Sequence, residues 1–170
     1  MNWDMAGAIG ELISAVGVIL SLFYLAVQIK GNTIASQAAS RLDITRDYRA
    51  VNTQKLEPRN ALAWHVGLWR YPNVDEDDRL LFSYLMSSEA LFFQGTYALR
   101  ETDQLDKGTY VAYLMWFAGI VKTPGGSSWW NDVGKAIFEP RAVMAVDQAI
   151  ANEEAPDILT LDAYREPLSE

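Results

Sequence analysis

The chain has 170 residues, half of them hydrophobic, with a formal charge of −8 and no cysteine. Disulfides, thiolate nucleophiles and thiolate metal sites are therefore excluded. An acidic chain without clustered cations is not built to bind nucleic acid or an anionic surface by charge.

The first stretch, Met5 to Ile29, reads MAGAIGELISAVGVILSLFYLAVQI and carries one charge, Glu11. At 1.5 Å per residue it makes a helix of roughly 37 Å, against a hydrocarbon core of about 30 Å. Residues 1–30 are expected to be a single transmembrane helix. A cleavable signal fits less well, because the N-terminus carries Asp4 and the apolar run is too long. Lys30, Arg41, Arg46 and Arg49 all follow the run, which predicts a span of the cell inner membrane with the N-terminus outside and the remainder in the cytoplasm. Trp3 and Tyr24 suit the two interfaces.

Ala6, Gly10, Ser14, Gly17 and Ser21 recur at helical spacing and predict a packing seam where another backbone approaches closely. Glu11 beside it is either an intramembrane polar site or a residue at the interface. Leu12 to Ile29 alone gives about 27 Å of uncharged helix, nearly enough to span.

Residues 31–56 read as a helical stalk with a weak apolar stripe (Ile34, Ala38, Leu42, Tyr48, Val51) and a kink at Gly31-Asn32. Residues 57–151 read as a helical bundle. Pro58 opens a short helix through Trp69. Asp75 caps a second, whose stripe Leu81, Tyr84, Leu85, Ser88, Leu91, Phe92 and Gly95 is expected to face the core. Asp106 caps a third, Lys107 to Lys122, which is apolar all round and so expected to be buried all round. Thr123 to Ser128 predicts a loop with a serine cap, Trp129 to Phe138 a short helix, and Pro140 to Ile150 the last one. Residues 152–170 form an acidic tail, ordered only where it docks. The fold class is all-α.

Groups fit for chemistry are sparse. His65, the single histidine, reads as a hydrogen-bonded structural residue. Ser87, Ser88 and Glu89 lack a third group to complete a nucleophile and base. Glu89 with Gln94 reads as a buried polar pair tying helices together. The dense aromatics are expected to pack a core or an interface rather than line a ligand pocket, with Trp116, Phe117, Trp129 and Trp130 the candidate interface residues. No catalytic residue, cofactor site or metal site is expected.

Several stretches resemble a family of uncharacterised bacterial proteins with one N-terminal span and a helical cytoplasmic domain. They are Ile9 to Thr33, with Gly10-Glu11 and the closing Tyr24-Leu-Ala-Val-Gln-Ile, then Glu89 to Thr96 with Leu105-Asp106, and Pro124-Gly125 leading to Trp129-Trp130, Phe138 and Pro140. The resemblance implies the fold and the anchoring, and no activity.

The function expected from these features is that of a membrane-anchored interaction or scaffold protein and not an enzyme. Its partners would be membrane lipid and either further copies of itself, as a homo-oligomer, or a larger membrane complex. The alternative is a small homo-oligomeric channel, with Ser14, Ser21 and Gln28 lining a pore and Glu11 forming an acidic ring at its mouth.

Overall fold

A computed structural model describes residues 3–161 and Tyr164, with side chains described from Gly7 and from Ile9 onward. The protein is all-α, and its chain divides into two compact units, Met1–Ala39 and Ser40–Glu170.

The first unit is one helical segment. It belongs to α1 (Trp3–Gln54), which stays helical through Gly31 and Asn32, the place read as a kink. Every side chain from Ile9 to Ser36 is exposed. This is the one helix among the described residues long and apolar enough to cross a membrane. Such a surface has nothing to gain from water.

The second unit starts inside the expected stalk. Beyond Ser40, α1 is a member of the bundle, because Ile44 is buried and Tyr48 packs its ring against Phe92 and Tyr113, with centroids 5.0 and 5.4 Å away. Arg41 pairs with Asp106 at 2.7 Å, and Lys55, just past the helix, pairs with Glu89. The bundle therefore begins some fifteen residues before the boundary read at Glu57, as the long polar arms of Arg41 and Lys55 hid their inward reach.

Four more helices follow: α2 (Pro58–Arg70), α3 (Glu76–Glu101), α4 (Lys107–Lys122) and α5 (Pro124–Trp129). A π-helical turn, Trp130–Gly134, and the short α6 (Lys135–Ile137) lead to α7 (Pro140–Ala151). The expected caps hold: Asp75 accepts from Asp78 N–H at 2.8 Å and Asp106 from Thr109 N–H at 3.1 Å, each satisfying an otherwise orphan donor.

The expected loop at Thr123 to Ser128 is instead helical. Thr123, not a serine, caps it by accepting from Gly126 N–H at 3.0 Å, and Pro124 occupies the first turn. Glycines stand there for closeness rather than for turning. A Cβ on Gly125 would land on the backbone of Gly67 in α2, and one on Gly126 would land on the carbonyl of Ile120.

The core is assembled from Phe82, Met86, Phe117, Ile120 and Trp129, all fully covered. Phe93 and Phe117 stack at 5.3 Å, joining α3 to α4. Within α4 only Phe117 to Val121 is buried all round; Val111 and Ala112 in the first half are exposed. The start of the acidic tail docks, with Ala155 and Ile158 buried and Ile158 3.0 Å from where a Cβ on Gly119 would stand. Asp162, Glu166 and Glu170 lie outside the described residues.

The stripe assigned to α3 requires correction. Its core face is Phe82, Leu85, Met86, Glu89, Phe93 and Thr96, whereas Tyr84, Leu91 and Gly95 are exposed. The helix is apolar on both sides, and pattern alone chose the wrong one.

Candidate functional site

Two places gather polar groups in apolar surroundings. The first is the exposed half of α1. Ser14 Oγ donates to the Gly10 carbonyl at 2.9 Å and Ser21 Oγ to the Gly17 carbonyl at 2.8 Å, while Gln28 Nε2 donates to Tyr24 Oη at 2.8 Å. Each hydroxyl hydrogen is thus spent inside the helix, which lets a serine sit in an apolar environment without an outside acceptor. Gly10 and Gly17 have open space where a Cβ would be. Gly10, Ser14, Gly17 and Ser21 are all exposed, as is Glu11. The side chain of Ala6, the first residue of the expected seam, lies outside the described residues, as does that of Trp3.

The second place is buried in the bundle. Glu89, on the core face of α3, is 2% exposed and paired with the Lys55 ammonium, which also lies 4.0 Å from the ring centroid of Trp64. A carboxylate there requires that cation, because charge in a low-dielectric interior is costly unless paired. Burial raises the Tyr48 phenol well above its usual value, and the Glu89 charge adds to the rise. The Tyr164 phenol is raised in the same order of causes. Trp69 Nε1 donates to the Tyr164 carbonyl at 3.0 Å, fastening the tail beside α2.

Glu89 and Gln94 do not form one polar pair. Gln94 Oε1 accepts from the Glu139 backbone N–H at 2.9 Å, so each ties α3 to a different neighbour. Ser87 Oγ and Ser88 Oγ donate to the carbonyls of Ser83 and Tyr84, at 2.8 and 3.1 Å. Those hydroxyls serve their own helix, and Glu89 serves Lys55. His65 is half-buried within α2. No group of three or more metal-ligating side chains converges among the described residues.

Three of the four candidate interface aromatics are core residues. Phe117, Trp129 and Trp130 are buried, the indoles donating to Ser83 Oγ at 2.8 Å and Asp147 Oδ1 at 2.9 Å. Their size recommended an interface; their N–H groups found partners within the bundle instead. Trp116 alone is half-buried, beside Tyr48 and Tyr113 on a shallow apolar surface.

Sequence reasoning missed Lys55 and the exposure of Leu80, Tyr84 and Leu91 on α3. One signal was present: between Arg79 and Arg100 the only charged residue is Glu89, and a charge-poor helix with one covered carboxylate has no polar face to turn to water.

Fold and surface together define an all-α protein with a helical domain and, among the described residues, one helix long and apolar enough to cross a membrane. The chain matches no protein-family model, no curated protein and no solved structure.

Proposed function

We propose that this is a membrane-anchored helical interaction protein, self-associating or serving as an accessory subunit of a larger membrane complex, and not an enzyme. α1 crosses the inner membrane once, with the N-terminus outside and the bundle in the cytoplasm. One observation carries the reading: from Ile9 to Ser36 the helix covers none of its apolar side chains with protein, a state water disfavours and lipid satisfies. The in-helix hydrogen bonds of Ser14 and Ser21 support it, since small residues with satisfied hydroxyls pack closely against another helix.

The test is extraction of cell membranes with alkaline carbonate, followed by mass determination in mild detergent. The protein should stay with the membrane and run as an assembly heavier than one chain. Release by carbonate would refute the anchor; a lone monomer without copurifying partners would refute the interaction role.

A further inference from the structure

We infer that the outward face of α3, with the groove separating it from the Ser40–Gln54 segment of α1, is the surface on which two copies of this chain pair. The inference rests on the self-association reading above and gives it a location in the bundle.

The face is apolar where a surface helix should be polar. Leu80, Tyr84 and Leu91 are 57, 75 and 60% exposed, at positions i, i+4 and i+11 of one helix side. No charged side chain interrupts them, because Glu89, the sole charge between Arg79 and Arg100, points into the core. Beside this ridge runs a groove of about 540 Å³, walled by Ile44, Val51, Phe92 and Leu99.

Area favours a protein partner. Leu80 to Ala98 covers roughly 27 Å of helix, and two helices each about 10–12 Å across present on the order of 500–600 Å². The apolar part of this area is chiefly the α3 ridge, while the α1 side adds polar groups such as Asp47 and Gln54. A pair of such faces would bury about 1,000–1,200 Å², just above the roughly 1,000 Å² that a biological interface should clear and below the usual range of stable ones. Chains confined to one membrane need no more, because anchoring raises their effective concentration.

Charge favours a second copy. A chain of −8 meeting itself through an acidic surface opposes like charges, whereas the α3 ridge carries no charge and the groove adds a single carboxylate from each copy. Asp47 is the one carboxylate on the groove wall, and it is exposed to water. Shape agrees. Leu91 is a knob between two small residues, Ser88 one turn before and Gly95 one turn after, and Gly95 has open space where a Cβ would stand. Related by a two-fold axis, each Leu91 can sit over the other copy's gap.

The chain has no cysteine, so single cysteines report contacts directly. Leu91→Cys in the full-length protein, oxidised in native membranes, should give mostly disulfide-linked dimer. Leu62→Cys and Met144→Cys, exposed on α2 and α7, should give traces. Leu91→Arg should lower the detergent mass towards one chain while leaving helical content and melting intact, both in the wild type and with Gly17→Leu in α1. Cross-linking at Leu91→Cys no stronger than at the controls, with Leu91→Arg still assembled, overturns this surface and leaves self-association standing. Absence of any assembly in the wild type overturns both. A cross-link from Leu91→Cys to a different protein overturns the second copy as occupant.

Discussion

The Lys55 ammonium meets the Glu89 carboxylate where side-chain exposures fall to 12 and 1%, joining the end of α1 to the centre of α3. Breaking such a pair by removing one partner leaves a buried charge uncompensated and costs about 3–5 kcal/mol. Lys55→Met should therefore lower the denaturation midpoint strongly, as read by tryptophan fluorescence of the full-length protein in detergent. Lys55→Met with Glu89→Leu should recover most of the loss, because two apolar groups of similar volume need no compensation. A double variant as unstable as the single one would mean that the pair itself, and not the orphaned charge, sets the cost.

Two close approaches of α2, to α5 at Gly125 and to α3 at Gly67, each depend on a single hydrogen. A Cβ on Gly125 would meet the Gly67 carbonyl, and one on Gly67 would meet the Phe82 ring. Backbone cannot yield as a flexible side chain does, so Gly125→Ala should cost about 1–3 kcal/mol by forcing the helices apart. Gly95→Ala, where a Cβ meets nothing, should be neutral or slightly stabilising within the monomer, in keeping with helix propensity. Thermal melts of the two variants compare crowding with propensity on one scale.

Asp106 serves two partners, capping α4 and pairing with Arg41 of α1. Hydrogen bonds from the Thr109 side chain hold its carboxyl well below the usual carboxylate range; the Thr109 N–H and the Arg41 guanidinium add to this, and burial opposes it. A carboxyl depressed in the folded state contributes stability that is complete above its unfolded value, about 3.9, and lost as pH falls through the folded one. Stability should then decline below about pH 4. Asp106→Asn, which keeps a capping oxygen, should flatten that decline, and Asp106→Ala should further cost about 1 kcal/mol at neutral pH through the lost cap. Denaturation midpoints at stepped acid pH check both.

Much of the fold was legible because it is written in local chemistry. Asp75, Asp106, Pro58 and Pro140 mark helix starts by satisfying or removing orphan N–H groups, and such signals need no tertiary knowledge. The apolar run of α1 is legible for the same reason. What escaped was set by distant partners. Lys55 looks like any surface lysine until Glu89 and Trp64 surround it, and Thr123 to Ser128 looks like a loop until the closeness of Gly125 to Gly67 explains its glycines. On α3 both sides are apolar, so periodicity could find the helix but not its inward face. Tyr84 and Leu91 lie on the outer side, while Phe117, Trp129 and Trp130, whose size suits a core or an interface alike, are in the core.

The exposed half of α1 admits a scaffold and a channel, and Gly17 and Glu11 separate them. If Gly10, Ser14 and Gly17 form a close-packed contact, Gly17→Leu keeps the helix apolar, so insertion should persist, but places a branched side chain where two backbones meet. Assembly should weaken while membrane attachment holds. Glu11→Gln distinguishes the role of the carboxyl: an interhelical hydrogen bond tolerates the neutral amide, whereas an acidic ring at a pore mouth would lose its preference for cations. The measurements are detergent-resistant association for both variants, and conductance in planar bilayers for the wild type and Glu11→Gln. Ser14 and Ser21 already donate to carbonyls of their own helix and Gln28 to Tyr24, so little donor capacity is left to line a pore. The expected result is reduced association for Gly17→Leu, near-normal association for Glu11→Gln, and no conductance in the wild type. Cation-selective conductance that Glu11→Gln abolishes would reverse the assignment in favour of a channel.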